Sequence, residues 1–73
     1  MKVLVKNPLP GILREVKVSE GQDVQKGDTL VVIESMKMLN DIRSDCDGKV
    51  TRVFVSPSSP IKLEETLIEI TKT

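Results

Sequence analysis

The residue types that ordinarily carry chemistry are scarce in this chain. There is no His, the single cysteine is Cys46, and the eleven acidic residues are scattered through turn-like stretches rather than paired. A general base or activated nucleophile needs a partner within hydrogen-bond reach, and a structural zinc needs several ligands at fixed spacing; neither pattern is present. Cys46 has nothing basic paired to it and reads as a structural thiol, buried or half-buried. What remains is a lysine. Lys37 lies in Glu34-Ser35-Met36-Lys37-Met38, with 36 residues before it and 36 after it. Any one of the eight lysines is ordinarily a solvated surface cation; central position and methionine neighbours set Lys37 apart. The methionines have two readings. In a strand they are core residues. At a turn they are exposed apolar side chains with no folding reason to be there, which marks a contact surface.

Whatever positions Lys37 is small. A chain of 73 residues hides only about 60% of the surface its unfolded form exposes, so a second domain or a deep enzymatic cleft is not expected. Ten Val, six Ile and five Thr against no Ala at all argue for pleated strands and against a helical bundle. Eleven basic and eleven acidic residues cancel to a formal net charge of 0, which leaves no electrostatic footprint for nucleic acid or an anionic membrane. The longest apolar runs, Val3-Leu4-Val5 and Leu30-Val31-Val32-Ile33, are too short for a membrane span or a signal-peptide core. The expected setting is cytoplasmic, or an organelle matrix. With a lone cysteine the chain must hold together by packing. It reads as one domain over residues 1–73, either free-standing or cut cleanly from a longer protein.

Laid on itself with a shift of 37, the sequence repeats: Gly11/Gly48, Val16/Val53, Val18/Val55, Ser19/Ser56, Thr29/Thr66, Leu30/Leu67 and Ile33/Ile70 are identical, seven of the 23 positions from 11 to 33. Leu13/Val50, Val24/Ile61, Asp28/Glu65 and Val31/Ile68 are conservative matches, and no gap is needed. Two copies of one β-rich unit, related by a pseudo-two-fold axis, account for this. In each copy the apolar phase slips once, from Leu13 to Val16 and from Val50 to Val53. Strict alternation cannot produce that step, so a bulge is expected near Arg14-Glu15 and near Thr51-Arg52. Turn residues fall at 19–22, 26–28, 45–48, 56–59 and 64–65, leaving the short strands of a compact antiparallel sandwich.

One segment permits another reading. Met36, Leu39, Arg43 and Cys46, with Ile42, would line one face of a helix capped at Ser35. Asn40, Asp41, Ser44 and Asp45 are poor interior helix residues, no Glu or Gln completes a capping box, and a lone helix would break the repeat. The preferred reading is a hairpin: Leu30 to Glu34 incoming, Leu39 to Ser44 outgoing, Ser35 to Met38 at the tip.

The Glu34-Ser35-Met36-Lys37-Met38 run, with Pro8-Leu9-Pro10-Gly11 before it, Lys26-Gly27-Asp28-Thr29-Leu30 leading to it and Asp47-Gly48 after it, resembles the biotinyl domain, the biotin carboxyl carrier module of biotin-dependent carboxylases. The resemblance covers Pro8 to Ile70. It implies an all-β fold, a flattened antiparallel barrel-sandwich of two four-stranded sheets with pseudo-two-fold symmetry. It implies that Lys37 forms an amide with biotin, that Met36 and Met38 are flanking recognition residues, and that Glu34 and Ser35 complete the motif. It also implies the partners: a biotin protein ligase, and the biotin carboxylase and carboxyltransferase domains or subunits between which a non-catalytic carrier moves a carboxyl group. A lipoyl domain shares this fold, but that family usually has an acidic residue where Met36 stands and a small one at Met38, so the methionines favour biotin. An unmodified structural hairpin would leave the tip without a purpose.

The sequence departs from the family pattern in places. Ser35 replaces the commoner Ala, and Ser44-Asp45 the frequent Ala-Pro. Ser58 and Glu64 stand where the first copy has Gly21 and Gly27. Two expectations follow for the second-copy turns: a different backbone geometry, or a strained left-handed Glu64 matching a left-handed Gly27. The chain lacks the extra loop between early strands found in some bacterial acetyl-CoA carboxylase carriers, which points toward a pyruvate, propionyl-CoA, acyl-CoA or decarboxylase-type complex.

Overall fold

Residues rich in β-branched side chains and broken by turn signals build strands, and the computed structural model of residues 1–73 contains eight of them and no helix. They are β1 (Lys2–Lys6), β2 (Gly11–Val16), β3 (Asp23–Val24), β4 (Thr29–Ser35), β5 (Met38–Arg43), β6 (Gly48–Val53), β7 (Pro60–Ile61) and β8 (Thr66–Lys72). One sheet runs in the order β1-β8-β6-β3 and the other β5-β4-β2-β7, with every pairing antiparallel. A shift of 37 carries β2, β3 and β4 onto β6, β7 and β8 residue for residue, and β1 onto β5 from Leu39. The same operation turns one strand order into the other. The two sheets are therefore the exchanged halves of a pseudo-two-fold molecule, as the repeat implies.

The phase slips are β-bulges. Pairing of β2 with β4 loses register between Leu13 and Glu15, and pairing of β6 with β8 loses it between Val50 and Arg52, so Arg14 and Thr51 are the extra residues. Past each bulge the apolar set returns to the inner face. Leu13/Val50, Val24/Ile61, Leu30/Leu67, Val31/Ile68 and Ile33/Ile70 are buried mates, joined by Val18 and by Cys46, whose thiol is free and structural. Fully burying one such aliphatic side chain contributes about 1.5–3 kcal/mol. The four ion pairs join side chains that are mostly well exposed and are worth roughly 0–1 kcal/mol each, so the core carries the stability.

The second-copy turns keep the geometry of the first. Gly21 and Gly27 have φ of 91° and 95°, and Ser58 and Glu64, their counterparts, have φ of 67° and 66°. A changed backbone is thus ruled out in favour of a strained one. The strain persists because the hydrogen bonds are the same: Gly27 N–H donates to the Ser44 carbonyl at 2.8 Å and Glu64 N–H to the Asn7 carbonyl at 2.9 Å.

A Cβ on Gly27 would touch nothing within 4 Å, so any cost of adding one is a cost of backbone conformation. Gly27→Val should destabilise by roughly 1–3 kcal/mol. Glu64→Gly relieves about 1–2 kcal/mol of left-handed strain against about 0.5–1 kcal/mol of added unfolded-state entropy, and should be neutral to mildly stabilising. Urea denaturation of both variants checks this; equal losses in both would show that the φ angles do not set the stability of these turns.

Candidate functional site

β4 delivers Lys37 to the end of the molecule, and two contacts fix where that strand stops. Gly11, at the start of β2, lies against the backbone of Glu34 so closely that a Cβ would collide with its carbonyl oxygen. Arg14, turned by the bulge, donates from Nε to Glu34 Oε1 at 2.6 Å. Beyond Glu34, Ser35 pairs with Met38 and the chain reverses through Met36 and Lys37 alone. The loop is therefore two residues wide, narrower than the four-residue tip expected from the sequence; the strands extend to Ser35 and begin again at Met38.

Both loop residues are left-handed, Met36 at φ 53° and Lys37 at φ 64°. That is the signature of a type I′ hairpin turn, whose twist matches the flanking strands and which normally selects Asn-Gly. Each non-glycine residue pays about 1–2 kcal/mol for this backbone. Asn40 helps to hold the loop, its Nδ2 donating to the Met38 carbonyl at 3.2 Å.

The side chains are presented outward. Met36 is 93% exposed and Met38 67% exposed, so core packing is excluded for both. Lys37 is exposed and makes no hydrogen bond or ion pair, although Glu34 is three residues away; the Glu34 carboxylate is occupied by Arg14. Ser35 is half-buried beneath the loop. The five residues singled out in the sequence thus form one continuous tip. Arg14 and Asn40 were not legible as its supports, because which way a bulged or cross-strand side chain turns depends on register.

The arrangement offers a primary amine on a flexible four-carbon stem, fixed at its root and free at its end. An amine nucleophile must lose a proton to react, and the tip holds no free base to take it. Nothing at the tip would activate Lys37 as a nucleophile from within the chain. A group attached through an amide at Nζ fits here without displacing any contact.

Fold and site together define a duplicated β-sandwich that displays one lysine on a strained hairpin. The family model described as "Biotin-requiring enzyme" matches residues 3–70, and the chain belongs to that family. It is 35% identical over 74 residues to the biotin carboxyl carrier protein of acetyl-CoA carboxylase of Streptococcus pyogenes, covering 92% of this chain and 45% of that one. It is 49% identical over 47 residues to the methylmalonyl-CoA decarboxylase subunit gamma of Veillonella parvula, covering 64% of this chain and 36% of that one. Among solved structures, a single-chain, multi-domain long-chain acyl-CoA carboxylase superposes with a TM-score of 0.93 at 30% identity, covering 99% of this chain and 7% of that one. The chain spans less than half the length of these relatives.

Exposure of the methionines sets a measurable limit on their role in folding. Met38→Ala should change the unfolding free energy by less than about 1 kcal/mol, where a buried methionine would cost roughly 2–5 kcal/mol. Parallel denaturant melts of Met36→Ala and Met38→Ala read this directly, and a loss in the larger range would return Met38 to the core.

Proposed function

We propose that Lys37 is covalently biotinylated and that the chain serves as the carboxyl carrier of a biotin-dependent carboxylase or decarboxylase, moving between a biotin carboxylase and a carboxyltransferase site. The observation that carries this reading is the unpaired, exposed Lys37 at the apex of a two-residue turn between exposed methionines. Membership of the biotin-requiring family supports it, as do the names of the relatives, which are carrier proteins or subunits of carboxylases and a decarboxylase. Those names do not favour the lipoyl alternative. The acceptor substrate differs among them, and the carrier role is what they share.

Biotin supplies a ureido nitrogen that takes up a carboxyl group in one site and releases it in another. The chain supplies the rest. Lys37 Nζ gives the point of attachment, and amide formation removes one of eleven positive charges against eleven negative ones, taking the formal net charge from 0 to −1. The strained turn fixes the Cα of Lys37, so motion is confined to the side-chain arm. Met36 and Met38, unbranched and polarizable, can pack against several different partner surfaces in turn: the biotin protein ligase first, then the two carboxylase sites.

Incubation with a biotin protein ligase, ATP and biotin should add one biotinyl group, read by intact mass and located at Lys37 by peptide mapping. Lys37→Arg should fold as the wild type does, since an exposed unpaired cation contributes little to stability, and should take up nothing. Label on Lys2, Lys6, Lys17, Lys26, Lys49, Lys62 or Lys72 overturns the assignment, as does a lipoyl increment in the intact mass of protein made in a biotin-replete host.

A further inference from the structure

The duplication is an internal control for what the fold requires at its surface. Across the sheet that carries the tip, Pro60, Ile12, Glu34 and Leu39 stand opposite one another on β7, β2, β4 and β5. Directly opposed residues share one face of a sheet. It is the outer face, because the adjacent residues Leu13 and Ile33 are fully buried on the inner one. Ile12 is 39% exposed and Leu39 is 67% exposed, so two large apolar side chains flank the Arg14-bound Glu34 immediately below the loop.

The two-fold relates this row to Asp23, Lys49, Thr71 and Lys2 on the other sheet. The four places are the same in backbone pairing, yet this second row holds no large apolar residue. Lys49 stands where Ile12 does and Lys2 where Leu39 does, both exposed. A fold that accepts lysine at both places in one half does not need Ile and Leu at them in the other. Exposed apolar side chains that folding does not require mark a contact surface.

Reach decides which partner covers it. An enzyme that acylates Lys37 must bring its reacting groups to an amine at the end of a four-carbon stem, and its surface then has to close around the loop and onto the first row of side chains below. Once biotin lengthens the arm, a carboxylating site can take the reactive end without touching that row. We infer that Ile12 and Leu39 form an apolar strip on which the biotin protein ligase seats while it modifies Lys37; the inference rests on the reading of Lys37 as the biotinylated residue. The matching ligase surface is apolar at its edges, with a polar group facing the Arg14–Glu34 pair between them.

The test transplants the symmetry mates. The double variant Ile12→Lys, Leu39→Lys repeats what the fold already carries at Lys49 and Lys2, and should unfold at the wild-type urea midpoint. With a purified biotin protein ligase, ATP and biotin, its KM as substrate should rise about 10-fold or more at nearly unchanged kcat, the pattern of lost binding energy. Driven to full biotinylation with excess ligase, it should then accept carboxyl groups from a biotin carboxylase with wild-type kcat/KM. Equal ligase kinetics in variant and wild type overturn the inference and leave the carrier reading intact. A defect confined to carboxylation, or a wild-type dimer that the substitutions dissociate, assigns the strip to a carboxylase or to a second copy and also overturns it. A wild type that takes no biotin at Lys37 removes the carrier reading itself. If the lysines lower the midpoint, Ile12→Thr, Leu39→Gln repeats the kinetics, with the same outcomes deciding.

Discussion

Each half of the molecule holds the turn of the other through one buried polar residue. Asn7 donates its N–H to the Glu65 carbonyl at 2.9 Å, and its own carbonyl accepts from Glu64 N–H; Ser44 makes the mirror pair with Asp28 and Gly27, both at 2.8 Å. These are the two buried polar side chains, and both are satisfied, Asn7 Nδ2 by the Lys62 carbonyl and Ser44 Oγ by the Cys46 carbonyl. Losing such a partner would leave a buried group unpaired at about 1–3 kcal/mol. The turns they hold, 25–28 and 62–65, launch β4 and β8, and each of those strands pairs with two neighbours. A register error of one residue would turn Leu30 and Ile33 outward in β4, or Leu67 and Ile70 in β8. The clamps therefore fix where β4 starts, and its length then fixes where the tip stands.

At the tip itself the local rules are broken. Type I′ turns want glycine or asparagine, and Met36-Lys37 stores about 2–4 kcal/mol of left-handed backbone instead. A glycine at either place would relieve the backbone and remove the side chain that the site displays. On the carrier reading proposed above, position 37 needs an amine and position 36 an exposed thioether, residues that propensity disfavours in this turn. The pairing of β4 with β5, the Gly11 contact and the Arg14–Glu34 pair over-determine the loop and hold the strain.

That conflict explains what was legible in the sequence. The step from Leu13 to Val16 is a spacing of apolar residues, and spacing survives folding, so the bulges were readable to within a residue. Gly27 advertised a left-handed turn by its type, and the repeat carried the same geometry to Glu64 by position. Met36 and Lys37 advertise nothing of the kind, which hid both the width of the loop and its positive φ angles. Asn7 and Ser44 are polar types that composition places on the surface; only the crossing of the two halves buries them. The Arg14–Glu34 pair joins residues 20 apart through a bulge whose direction no spacing encodes.

Symmetry also fixes what lies at the pole opposite the tip. The shift that carries β4 onto β8 and β1 onto β5 carries the Ser35–Met38 turn onto Lys72 and Met1, which lie side by side, joined by the Lys72 N–H to the Met1 carbonyl at 2.8 Å. Thr73 donates to the Asp47 carbonyl, and Asp47 Oδ1 accepts from Lys26 in the turn that starts β4, so the C-terminus is tied to one end of the strand whose other end is the tip. The seven residues of β4 separate them by roughly 20 Å of extended chain. A duplicated sandwich thereby sets the exposed Lys37 and the Met1–Lys72 pair at opposite poles of the molecule.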